Sequence, residues 1–161
     1  MDKDQSDVGA LNEEMRNIIE EARVILPGIQ ALFGFQTIAV FNQRFVELPE
    51  YAKGCHLFGL GMVIIAVALV MTPAVYYRYV GKDHVSVRMV EASSLMIRAA
   101  LFPLACGLAL DIFVVILGAT EQLAWSVIWG ALAFLFLTGL WFAFPINARR
   151  KSRRRREASE N

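Results

Sequence analysis

Asp111 is a carboxylate in the middle of an apolar run, RAALFPLACGLALDIFVVILGATE at 98–121. A bilayer-spanning helix needs about 20 mostly apolar residues, and this run is long enough. An aspartate at such depth costs about 2.5–3.5 kcal/mol on insertion scales, so it must be offset by a partner or retained for a use. Two chemistries fit: a protonatable or cation-binding carboxylate in a pore or cavity, and a neutral acid that hydrogen-bonds a neighbouring helix. Spacing suggests the partner. Asp111 follows Arg98 by thirteen residues, and Gln36 follows Arg23 by thirteen on another apolar segment, which places each about 20 Å beyond its arginine along a helix. An amide can hydrogen-bond a carboxyl group in either protonation state. Arg44 lies eight residues beyond Gln36, about 12 Å further along, a long reach for an ion pair.

Other groups suggest less chemistry. Arg44 and His56 are expected at the outer mouth of the membrane domain, where His56 is either an interfacial residue or a pH-sensitive one. Glu47, Glu50 and His56 are close in sequence, but they lack the i, i+4 ligand pair that makes a helical metal site. No Ser/His/Asp grouping, glycine-rich phosphate loop or haem-like histidine pair occurs in the spans, so no catalytic residue, metal or cofactor is expected. Arg149, Arg150, Lys151, Arg153, Arg154, Arg155 and Arg156 form a basic tail directly after a span. That position suits an orientation signal or an anionic-lipid contact better than nucleic acid, which is not an expected partner.

The elements that must position these residues follow from hydropathy. The chain has 161 residues, 57% hydrophobic and 19% charged, more apolar surface than a soluble domain of this size can hide. Residues 1–9 are polar and predicted to be disordered. Leu11, Met15, Ile18, Ile19, Ala22, Ile25 and Leu26 recur at helical spacing opposite an acidic face, which predicts an amphipathic helix in residues 1–23. Such a face should pack on protein, since helices that bind anionic lipid carry Lys and Arg there. Pro27-Gly28 is expected to break or kink this helix. Four spans then follow at about 24–45, 56–77, 99–120 and 123–146. A short loop is predicted at 46–54, a helix in preference to a strand through 80–97, and a cytoplasmic tail at 149–161. The fold class is all-α, a membrane four-helix bundle of two transmembrane hairpins, with 24–148 as the membrane domain. The first span, with Gln30, Gln36, Thr37, Asn42 and Gln43, is the most polar and should sit inside a bundle or an oligomer.

Basic residues set the orientation. Three lie in 1–23, four around 78–98 and seven after residue 148, against only Arg44 and Lys53 on the other side; the positive-inside rule places both termini in the cytoplasm. The acidic start carries no signal-peptide pattern, and two cysteines, Cys55 and Cys106, make no disulfide framework. The arginine, proline and polar residue of the first span (Arg23, Pro27, Gln36) are echoed in the third (Arg98, Pro103, Asp111). That echo fits two hairpins related by an axis along the membrane normal, and equally the habit of prolines and arginines to gather near cytoplasmic helix ends.

The stretches EARVILPGIQ at 21–30, FNQRF at 41–45, TPAVYYR at 72–78 and GLALDIFVV at 107–115 together resemble a family of small bacterial four-helix membrane proteins classed as a domain of unknown function. The similarity covers roughly residues 20–140. It implies four spans and a bacterial origin, and no activity, substrate or partner; the expected location is the bacterial inner membrane. The expected function is that of a non-enzymatic accessory or interaction subunit, a homo-oligomer or one bound to another membrane protein. The alternative is a small transporter or channel built around Asp111.

Overall fold

The computed structural model describes residues 2–81 and 84–144. They form α1 (Asp2–Ala39), α2 (Gln43–Glu47), α3 (Glu50–Val80), α4 (Val87–Thr120) and α5 (Leu123–Thr138), the last continued by a π-helical turn at Gly139–Ala143. No strand occurs among the described residues, and four helices are long and apolar enough to cross a membrane. The all-α four-span fold is therefore as expected. In hydrocarbon a helix satisfies its own backbone, which is why such apolar segments fold this way.

Packing follows a seam. On α3 the buried residues are Ala52, His56, Gly59, Val63, Ala66, Val70 and Pro73, in alternating steps of four and three. Val90, Ser93, Ile97, Ala100, Leu104, Gly107 and Val114 repeat that rhythm on α4. Met15, Ala22, Ile29 and Gln36 lie seven apart on α1. A mean period of 3.5 keeps one stripe of each helix facing its neighbours. α4 is the shared neighbour, packed against α1, α3 and α5, and α1 packs against α3 as well.

Small residues let the helices meet closely. A Cβ placed on Gly107 would lie 2.8 Å from Val63 Cγ2 and 3.2 Å from the Gly59 carbonyl oxygen, so α3 and α4 touch nearly backbone to backbone. Gly130 of α5 fits the other side of α4, where a Cβ would lie 3.1 Å from Phe113 Cβ and 3.2 Å from the Ala109 carbonyl oxygen.

Several boundaries differ from those expected, among them that of the first span, which ends at Ala39 instead of about 45. α1 begins at Asp2, so 2–9 is helix, not disordered chain: no strong breaker precedes Gly9, and adding residues to a nucleated helix costs little. Pro27 lies inside α1 instead of ending it, so the amphipathic segment and the first span are one helix. A proline forfeits a single helical bond and is tolerated in spans where neighbours restore the backbone. The loop expected at 46–54 shrinks to Leu48 and Pro49, because α2 is capped by the Asn42 side chain accepting from the Arg44 amide at 3.0 Å and α3 starts at Glu50. Helix does prevail in the 80–97 segment, from Val87 with Ser86 as its cap. The acidic N-terminal part of α1 packs on protein, with Met15, Ile18 and Ala22 in one core with Val85, Met89 and Val90.

The α3–α4 contact can be tested with alanine. Gly107→Ala should destabilise the protein by about 1–3 kcal/mol, the usual cost of overpacking, because Val63 is fully buried and the other obstacle is backbone. Gly61→Ala, where nothing lies within 4 Å, should stay within about 0.5 kcal/mol of the parent. Reversible unfolding in detergent micelles measures both, and equal losses would contradict the proposed crossing.

Candidate functional site

Gln36, His56 and Asp111 occupy seam positions on three helices, and the fold brings them together. Gln36 Nε2 donates to Asp111 Oδ2 at 2.5 Å, joining α1 to α4. The Gln36 backbone carbonyl lies in the last turn of α1, where carbonyls run out of helical donors, and His56 Nε2 sits 3.0 Å from it. His56 Nδ1 faces Asp111 Oδ1 at 3.7 Å. Phe45 of α2 meets the His56 ring edge-on, with centroids 5.1 Å apart. Gln36 and His56 are each only 3% exposed.

The geometry constrains the protons. A carbonyl oxygen only accepts, so the His56 nitrogen bonded to Gln36 must carry a hydrogen. The remaining nitrogen faces the carboxyl group across a gap too long for a good hydrogen bond. Two arrangements then share one proton count: a neutral imidazole beside a carboxylic acid, or an imidazolium beside a carboxylate. Asp111 Oδ1 and Gln36 Oε1 are buried and have no hydrogen-bond partner among the described residues. The cluster can therefore hold helices together, hold a proton, or offer two oxygens to a cation.

His56, expected at the outer mouth, is a buried residue of α3. Because α3 starts at Glu50, His56 stands six residues inside it, about 9 Å along the axis, and in step with Val63 and Val70. Counting sevens back from those valines is the signal that would have found it. Arg44 remains outside the cluster as its reach implied, with Nη1 donating to the Gly118 carbonyl at 3.4 Å. Glu50 pairs with Lys53 at 2.9 Å on the surface, so Glu47, Glu50 and His56 do not converge. The basic tail, Arg149, Arg150, Lys151, Arg153, Arg154, Arg155 and Arg156, lies outside the described residues.

Residues 5–145 match the profile of DUF6328, a family of unknown function. The chain belongs to that family. No curated protein and no solved structure matches it.

In this DUF6328 chain the contact between α1 and α4 can be measured by mutation. Gln36→Leu and Asp111→Leu should each weaken the fold by about 0.6–2 kcal/mol, the range for polar contacts between membrane helices. Because each change removes the same bond, the double variant should lose clearly less than the sum. Asp111→Asn should keep most of the stability, since an amide can still accept from Gln36. Unfolding in micelles reads all four proteins, and full additivity would rule out an energetic link between the two groups.

Proposed function

We propose that this chain is a non-enzymatic membrane protein that works by packing against a second membrane-embedded surface, a copy of itself in the simplest case. The observation that carries this reading is Gln30. It lies in the span of α1, exposed on the face turned away from α3 and α4, and no hydrogen bond to its side chain is found among the described residues. An amide left in hydrocarbon is costly, and a partner helix would satisfy it. Gly34, one turn further along the same face of α1, has open space where a Cβ would stand, so another helix can approach closely. The bias of basic residues supports a cytoplasmic placement of both termini, and the resemblance supports a bacterial origin; the proposed location is the inner membrane.

Cysteine chemistry in intact cells tests this reading. In a chain with Cys55→Ala and Cys106→Ala, a cysteine at Gly34 should form disulfide-linked dimers on mild oxidation, and one at the outward Leu57 of α3 should not. A cysteine at Ser6 should resist a membrane-impermeant maleimide until the cells are opened. Equal crosslinking at both positions, or a monomer in native lipid discs, would refute the packing surface.

The second reading, a proton- or cation-linked transporter, is favoured by the unmatched oxygens of Asp111 and Gln36 beside His56. Asp111→Asn separates the two. It preserves the helix contact but cannot take the charged form, so it abolishes proton or cation flux in vesicles only if the carboxyl group carries the ion.

A further inference from the structure

The end of the molecule remote from Asp111 carries a different chemistry. Between α1 and α3 a cavity of about 480 Å³ is lined in part by Arg16, Arg23 and Arg78, with Glu20 as the only acidic lining residue. A second cavity of about 580 Å³ shares Arg23 and Arg78 and has apolar walls that include Ala22, Leu26, Val70 and Ala74. Among the described residues no ion pair engages any of the three arginines. Three guanidinium groups thus crown an apolar groove, with Glu20 the one carboxylate among the described lining residues.

Depth places this groove at a membrane surface. Gln36 and His56 meet on antiparallel helices, so twenty residues earlier on α1 Arg16 is level with the Tyr76 region of α3, and Arg23 lies about 10 Å deeper. Tyr76, Tyr77 and Tyr79 mark an interface, where tyrosine concentrates. Arg23 therefore stands near the edge of the hydrocarbon, Arg16 and Arg78 stand in the headgroup layer, and the groove continues inward past Leu26 and Val70. Guanidinium groups bind phosphate by charge-assisted, often bidentate hydrogen bonds. An apolar groove beneath them matches an acyl chain. A dissolved anion would leave that groove unfilled, and a neutral lipid would leave the net positive rim unmatched.

We infer that the α1–α3 groove is a binding site for one anionic phospholipid, its phosphate held by Arg16, Arg23 and Arg78 and one acyl chain lying along Leu26, Val70 and Ala74. The site rests on the membrane reading of the chain, not on its partner or on its orientation. Its named residues are not those of the basic tail.

Native mass spectrometry of the purified, delipidated full chain, titrated with phosphatidylglycerol or phosphatidylcholine, tests it. Phosphatidylglycerol should fill one site per chain at least tenfold more tightly than phosphatidylcholine. Each of Arg16→Gln, Arg23→Gln and Arg78→Gln should weaken it about fivefold, the worth of one basic residue at an anionic surface. Ala74→Trp, which fills the groove and leaves every charge in place, should lower occupancy by phosphatidylglycerol. Replacing Arg153, Arg154, Arg155 and Arg156 by Gln should leave this site unchanged, and millimolar inorganic phosphate should not displace the lipid. The inference is overturned if the two lipids bind equally, if the arginine variants bind as the parent does, if free phosphate competes, or if only the tail variant loses binding. Should an arginine variant fail to fold, Ala74→Trp decides alone: unchanged occupancy in the folded variant rejects the groove.

Discussion

A carboxyl group on a helix in hydrocarbon has no water to fall back on, so neighbouring helices must supply its hydrogen-bond partners. Asp111 imposes that constraint here. Gln36 meets it on one oxygen, and the His56 ring stands beside the other. For both to reach it, α1 and α4 must keep their relative depth and α3 must present its histidine at the same level. A slip of one residue along any of the three helices would move a polar group by about 1.5 Å and turn it by about a quarter turn, out of the seam. The cluster fixes register; the apolar seam, indifferent to such detail, supplies most of the contact area.

The same seam explains why the helices come close enough for the cluster to form. Gly59 and Gly107 bring α3 and α4 together two turns of helix from His56 and Asp111 at most. Without an apolar driving force between helices in lipid, close backbone approach and van der Waals contact do the work. α2 completes the arrangement from outside. Its Asn42 cap and the Arg44 contact with Gly118 hold the short helix so that Phe45 lies against the His56 ring.

Much of this was legible in the sequence, for reasons that differ by element. Span number and helix type follow from runs of apolar residues, which is a composition-scale signal. The meeting of Gln36 and Asp111 followed from equal spacing behind two arginines, which act as depth markers. The meeting of His56 with Asp111 is not legible that way, because it depends on where α3 starts, and Pro49 and Gly54 both read as loop. Only the first of them lies outside the helix, as its cap; Gly54 lies inside α3. Likewise Pro27 reads as a break by local propensity, but α1 continues through it because both flanking segments bury one face in the same core, through Ala22 before it and Ile29 after it. The π-helical turn at Gly139–Ala143 had no sequence signal beyond Gly139. It follows Thr138, whose hydroxyl bonds the Phe134 carbonyl at 2.6 Å, a contact known to disturb helical ladders.

The distribution of polar groups along α1 separates three tasks carried by one helix. Its C-terminal turn directs Gln36 into the core, where the amide meets Asp111. Its middle leaves Gln30 facing outward, where no described residue answers it. Its N-terminal turns place Arg16 and Arg23 along the groove shared with α3. A helix serving only as a bilayer anchor would be selected for uniform apolarity, because each polar side chain adds an insertion cost. α5 comes nearer that description, since from Leu123 to Thr138 it carries no charged residue and buries only Ser126 and Gly130. The contrast locates the specific chemistry of this protein on α1 and the neighbours that α1 touches, and assigns α5 mainly to covering the far side of α4.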